Sequence, residues 1–196
     1  VAPFSSSTMA NAATKATSCF VYGTLMSPDV LRTLLGRVPT MVPKATLPHH
    51  SRHPVRGRVY PGVIPTLEST AMRSVAPTTA KTSVQGILLL GVTPLEMTYL
   101  DYFEDEGVGY TRSNVQVVVP RRVHRDGQPK DENMNDDIDH PEERIIQSHA
   151  YIWAQGASKL DLSCDWDYKT FLAEHLEWYL ETTVKPVRIE MEEQHL

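Results

Sequence analysis

Residues Val84–Val92 read VQGILLLGV, an apolar run broken only by Gln85 and two glycines. A strand of that composition is covered on both faces, so the rest of the chain has to supply layers on either side of it. The run falls well short of the roughly 20 residues that a bilayer-crossing helix needs. It passes directly into Thr93-Pro94-Leu95-Glu96. Thr93 and Glu96 stand at capping-box spacing and Pro94 takes the first helical position, which predicts a helix through Phe103. Leu95, Tyr99, Tyr102 and Phe103 carry its apolar period.

A second strand-to-helix passage lies near the start. Cys19–Tyr22 is a short apolar run ended by Gly23, and reads as a buried strand. In SPDVLRTLLG, Ser27 is an N-cap, Pro28 and Asp29 suit the first turn, and Gly36 closes the helix. Val30, Leu31, Leu34 and Leu35 form its apolar stripe. Further strands are expected near Arg56–Tyr60, around Ile64–Leu67, over Asn114–Pro120 and over Ser148–Ala154. Asp165–Leu180 reads as an amphipathic helix with Tyr168, Phe171, Leu172, Leu176, Tyr179 and Leu180 on one face. Residues 185–196 read as an extra strand or a loose end. Trp153, Trp166 and Trp178 read as core aromatics. Strands outnumber helices and do not alternate with them, so the expected class is α+β.

Residues 1–17 are rich in Ser, Thr and Ala and read as a disordered lead-in. The chain opens on Val1, and Met9 is a candidate natural start. Residues 121–146 hold eight acidic and five basic side chains with Gly and Pro, which reads as a solvated insertion at about 121–147. The expected organisation is a single domain over 18–185 with a tail at 186–196.

With 196 residues, 14 of them proline, and a net charge of −5, the chain has no positive excess to hold a phosphate backbone, so no nucleic-acid partner is expected. Two cysteines, Cys19 and Cys164, make neither a disulfide scaffold nor a zinc site. The cluster His49-His50-Ser51-Arg52-His53 reads as an exposed polar loop, and Asp136-Asp137-Ile138-Asp139 lacks the glycine and final glutamate of a calcium loop. No metal is expected.

Two segments could carry chemistry. In Tyr22-Gly23-Thr24-Leu25, a glycine between strand and helix exposes backbone N–H groups beside a helix N-terminus. That suits an anion, or is simply a turn. In Asp101-Tyr102-Phe103-Glu104-Asp105-Glu106, four carboxylates gather at a helix C-terminus, where the dipole disfavours them. A glutamate partly buried beside Tyr102 and Phe103 has a raised pKa and suits acid/base work; the alternative is a solvated acidic loop.

Taken in order, Val-Tyr-Gly-Thr-Leu-Met at 21–26, Gly57-Arg58-Val59-Tyr60-Pro61-Gly62, Val84-Gln85-Gly86, Leu100-Asp-Tyr-Phe-Glu104 and Tyr110-Thr-Arg112 resemble the γ-glutamylcyclotransferase-like superfamily. The nearest branch is that of the AIG2-like and γ-glutamylamine cyclotransferase proteins. The resemblance covers residues 18–120, with the 148–154 strand completing the sheet. It implies a small mixed β-barrel with a few surrounding helices. It implies that Tyr22, Gly23, Thr24 and Leu25 hold a γ-glutamyl group through the backbone, that Glu104 is the catalytic acid/base, and that Tyr110 lines the pocket. The implied reaction is attack of the substrate's α-amine on its own γ-carbonyl, releasing 5-oxoproline without a cofactor. The implied partner is a small γ-glutamyl compound, with no membrane, and the protein is expected to be a cytoplasmic monomer or weak dimer. Two alternatives are a non-catalytic binding or regulatory module of the same fold and an enzyme acting on the γ-glutamyl group of a specialised metabolite. The chain departs from the family pattern at Gly107-Val108-Gly109, at 121–147 and in the extension over 160–196.

Overall fold

The computed structural model describes residues 17–67, 83–120 and 143–194. Five strands close a barrel in the order β1 (Thr17–Val21), β5 (Ser83–Val92), β2 (Thr40–Pro48), β6 (Tyr110–Pro120), β7 (Glu143–Trp153). β1 closes on β7 in parallel, Cys19 opposite His149, and every other pair is antiparallel. The remaining strands, β3 (His50–Pro54) and β4 (Pro61–Pro65), form a separate hairpin. The barrel is therefore mixed and the class α+β, as expected.

Period-two alternation divides the core. Phe20 of β1 and Tyr22 just after it join Leu47, Leu88, Val117 and Ala150 in a cluster to which no helix contributes. Cys19 and Val21 point the other way, into a cluster shared with the helices. At the heart of β5 stands Gly86, where a Cβ would come 2.3 Å from the Val21 carbonyl oxygen and 2.7 Å from the Phe20 ring. Only a residue without a side chain lets β1 and β5 approach there.

Both sequence-read helices form with the expected caps. In α1 (Pro28–Leu35) the Ser27 hydroxyl accepts from the Val30 N–H at 3.5 Å, and Gly36 closes the helix at φ 78°. In α2 (Pro94–Phe103) Thr93 and Glu96 complete the capping box, with N···O distances of 2.8 and 3.2 Å. Arg37 adds a two-pronged ion pair to Glu96 at 2.6 and 2.7 Å. The inward face of α2 is Glu96, Met97, Tyr99 and Leu100, whereas Leu95 is 54% exposed.

Several expectations need correction. Arg56–Tyr60 is the turn of the β3–β4 hairpin rather than a strand: Gly57 takes φ 70° and the Val55 N–H reaches the Tyr60 carbonyl. β4 begins at Pro61, so it overlaps only the front of Ile64–Leu67. The histidine cluster lies on β3, not on a loop, and His53 is buried. Its ring nitrogens stand 3.1 Å from the Cys164 carbonyl and 3.0 Å from the Ser51 hydroxyl. β7 begins at Glu143, five residues ahead of the expected Ser148. Trp178 is 55% exposed and is no core residue.

The C-terminal region is helical to Glu193, so the tail is neither strand nor loose end. Its segments are α3 (Tyr168–Thr170), a π turn (Phe171–His175), α4 (Leu176–Tyr179), a second π turn (Leu180–Val184) and α5 (Lys185–Glu193). Asp167 caps it through the Thr170 N–H at 2.6 Å. Each π turn adds one residue to the helical repeat. The fully buried positions record this: Phe171 to Tyr179 is a step of 8, Tyr179 to Val184 of 5, and Val184 to Met191 of 7. These are 7 + 1 and 4 + 1 across the π turns, and an ordinary 7 after them. The simple 3.6 period therefore misplaces Leu172, which faces outward at 38% exposure. The second π turn also precedes Pro186, which has no N–H to donate to the turn before it.

No described helix is long and apolar enough to cross a membrane. The expected lead-in over 1–16 and most of the charged insertion, with its run at 136–139, lie outside the described residues, while Thr17 opens β1.

Candidate active site

A cavity of about 400 Å³ opens at one end of the barrel. Tyr22, Gly23, Thr24, Leu25, Glu104 and Tyr110, all singled out in the sequence, line it together. Three separate chain segments meet there because β1 ends at the cavity, α2 ends at Glu104, and β6 starts at Tyr110. The extra residues Gly107-Val108-Gly109 fold into a tight turn. The Val108 and Gly109 N–H groups reach the Asp105 carbonyl at 2.9 and 2.8 Å, and the Gly107 N–H reaches the Tyr110 carbonyl at 2.8 Å. That turn returns the chain to the cavity.

The glycine loop is a single 3-10 turn, Thr24–Met26, set between β1 and α1. Its own bonds are Met26 N–H to Gly23 O and Ser27 N–H to Thr24 O, each 3.0 Å. Among the described residues, the N–H groups of Gly23, Thr24 and Leu25 have no acceptor. They are the donors that the start of a helix leaves over, and the residues that bear them line the cavity. The loop is held tightly from outside. A Cβ on Gly23 would stand 2.9 Å from Cγ of Pro61. Arg52 donates to the Tyr22 carbonyl at 2.8 Å, while Asp165 grips the same guanidinium at 2.9 and 3.2 Å and the Trp166 ring lies under it at 5.6 Å.

Five tyrosines line the cavity, and the phenols of Tyr22, Tyr110 and Tyr179 have described partners there. Tyr22 donates to the Tyr151 carbonyl, Tyr110 donates to the Pro61 carbonyl at 2.8 Å, and Tyr179 is hydrogen-bonded to the Thr24 side chain. Burial, with neighbouring acidic groups adding to it, pushes all three phenols up, so each stays a neutral donor. The Tyr110 ring meets Trp153 edge to face at 5.1 Å.

Glu104 occupies the C-cap of α2 and its carboxyl faces this apolar and phenolic wall. Among the described residues nothing donates to it, and burial raises its pKa to about 8. The other carboxylates of the cluster differ. Asp101 is paired to Arg112 at 2.6 Å and accepts from the Tyr151 phenol at 2.7 Å. Asp105 and Glu106 are exposed, and only Asp105 also lines the cavity. Among the described residues no cluster of His, Cys, Asp and Glu is arranged to hold a metal, and Cys19 and Cys164 are free thiols.

Sequence reasoning missed Tyr151, Trp153, Lys159 and Tyr179, as well as the two turn residues Arg56 and Arg58. Tyr151 and Trp153 carried a signal, since residues two apart on a strand share a face. The others come from segments whose meeting depends on the tertiary fold.

The chain belongs to the gamma-glutamyl cyclotransferase, AIG2-like family, whose model matches residues 19–168. It is 35% identical over 166 residues to AIG2-like protein D of Arabidopsis thaliana, covering 85% of this chain and 86% of that one. It is 31% identical to AIG2-like protein C of the same plant, over 85% of this chain and 75% of that one. A solution structure of an Arabidopsis thaliana protein, 27% identical, superposes with a TM-score of 0.50 over 93% of this chain and 95% of the other.

Proposed function

We propose that this protein is a γ-glutamylcyclotransferase-type enzyme with Glu104 as its acid/base. One observation carries the reading. A carboxyl group with no partner among the described residues, its pKa raised to about 8, shares a cavity with three residues whose backbone N–H groups have no acceptor among the described residues. Buried unpaired polar groups cost stability, so their meeting in one cavity fits a site that a substrate completes.

A γ-glutamyl compound carries its nucleophile within itself. The N–H groups of Gly23, Thr24 and Leu25 receive the γ-carbonyl oxygen, and the aromatic walls fold the chain so that the α-nitrogen reaches the γ-carbon. Ionised Glu104 takes a proton from the α-ammonium. The freed amine attacks the γ-carbonyl carbon, a ring C–N bond forms, and negative charge on the oxygen is met by the loop amides. The original amide C–N bond then breaks as Glu104 returns the proton to the leaving nitrogen, and the second proton of the ring nitrogen passes to the departing amine, which leaves as an ammonium. The products are 5-oxoproline and a free amine or peptide, with no net proton, electron or water consumed. Acid/base participation of this kind contributes roughly 10²–10⁴-fold. A pKa close to the operating pH lets one carboxyl both accept and donate.

The test is 5-oxoproline release from γ-glutamyl amino acids, γ-glutamyl-lysine isopeptide and glutathione, with Glu104→Gln in parallel. Release by the wild type and not by the variant supports the reading. Ligand binding without release from any compound overturns it in favour of a binding module.

A further inference from the structure

The mouth of the cavity has an uneven charge. Arg56 and Arg58 reach it from the β3–β4 turn, and Lys159 reaches it from the short 3-10 turn Ala157–Lys159. The two turns are fastened together. The Arg56 N–H donates to the Lys159 carbonyl at 2.9 Å, the Arg56 Nε donates to the Leu160 carbonyl at 3.0 Å, and Val55 bridges Leu160. The two turns that carry the three cations are thus held side by side. Among the described residues none of them forms an ion pair; the charge of Arg56 is felt by Asp161, which pairs with Ser163. The acidic groups of the cavity are Glu104 and the exposed Asp105. Three cationic side chains therefore share the cavity lining with two carboxyl groups, one of them buried. A cleft lined by one sign of charge concentrates ligands of the other sign.

We infer that the rim of Arg56, Arg58 and Lys159 is a subsite for an acidic leaving group, so that the substrate class is γ-glutamyl compounds whose leaving amine bears a second carboxylate beyond the α-carboxylate. This rests on the proposed cyclotransferase activity. Each γ-glutamyl amino acid brings two α-carboxylates; three cations with no carboxylate partner among the described residues leave room for one more anion. A lysine side chain at the same place meets repulsion, and a glutamine side chain gains little.

The experiment compares γ-glutamyl-glutamate with γ-glutamyl-glutamine, which have the same shape and differ in one charge. Both kcat/KM for 5-oxoproline release and equilibrium binding to the non-cyclising Glu104→Gln protein are measured, in the wild-type rim and in Arg58→Gln/Lys159→Gln. Both substituted side chains are exposed, and a thermal melt checks that the fold is kept. The expected preference for the glutamate compound is about five- to tenfold, falling towards unity in the rim variant and weakening with added salt. Equal use of the two compounds overturns the subsite and leaves the cyclotransferase activity standing. Preferential binding with no 5-oxoproline from either compound supports the subsite and overturns the activity. Equal weakening of both compounds in the rim variant assigns the cations to the shared γ-glutamyl carboxylate and overturns the inference. Failure to bind either compound overturns it as well.

Discussion

Asp101 and Glu104 sit one turn apart at the end of α2, and their surroundings are opposite. Asp101 is tied to Arg112 and to the Tyr151 phenol at 2.6 and 2.7 Å. Glu104 has no donor among the described residues, and burial raises its pKa to about 8. The helix C-terminus disfavours both charges, but only Asp101 has that cost offset. One carboxylate is tied into the structure and its neighbour has no partner among the described residues.

The contrast sets a pH dependence of stability. Glu104 ionises near the ordinary carboxylate value when unfolded and near 8 when folded. The folded state therefore carries a cost that is absent below about pH 4.5 and grows as pH rises to about 8. Replacing Glu104 by Gln removes it. Thermal melts are expected to show Glu104→Gln more stable than the wild type by about 1–3 kcal/mol above pH 8, with the gap closing towards pH 4.5.

Asp101→Asn breaks the link to Arg112 and weakens that to Tyr151. The expected cost is about 1–3 kcal/mol in chemical denaturation, because a partly buried cation loses its partner. Activity falls through displacement of the α2 end, but the pH profile keeps its midpoint. A shifted midpoint would make Asp101 the titrating group.

Gly23→Ala brings a methyl group to 2.9 Å from Pro61 Cγ, and Gly86→Ala brings one to 2.3 Å from the Val21 backbone oxygen. The first has a proline ring to push against, whose edge gives somewhat. The second meets a backbone oxygen and, at 2.7 Å, the fully buried Phe20 ring, neither of which has room to move. Gly86→Ala is expected to cost about 3 kcal/mol or more and to prevent stable folding, whereas Gly23→Ala folds and loses substrate binding. Circular dichroism and ligand titration separate the two.

Much of this site was legible along the chain because its parts are local. Ser27, Thr93 with Glu96, and Gly36 announce helix ends through side-chain chemistry close in sequence, and all three caps form. The Tyr22–Leu25 turn stood out for the same reason, whereas Glu104 was one of four carboxylates at a helix end until the family resemblance singled it out. What was not legible depends on partners far away. Arg56–Tyr60 alternates like a strand but bends because Gly57 takes a positive φ and Lys159, a hundred residues on, receives the Arg56 N–H. The helix face over 168–191 escapes a 3.6 period because two π turns shift it. His53 belongs to a polar cluster in sequence, yet its strand places it under the Cys164 carbonyl.

Glu96 ties α2 to the rest of the chain. Burial alone would raise its pKa, but hydrogen bonds from Arg37 and from Thr93 outweigh it and hold the carboxyl below its ordinary value. This contribution is present above about pH 4.5 and is lost as pH falls below it. Glu96→Ala removes the ion pair and half of the capping box, and denaturant titration at pH 7 is expected to show a loss of about 1–3 kcal/mol. The loss shrinks at pH 3.

The most direct measurement is the rate of 5-oxoproline formation from a γ-glutamyl dipeptide between pH 5 and 10, for the wild type and for Glu104→Gln, with folding checked by a melt. The account predicts a wild-type kcat/KM that rises with pH through a midpoint near 8, and no turnover by the folded variant. Turnover retained in folded Glu104→Gln would contradict the assignment of Glu104 as the acid/base.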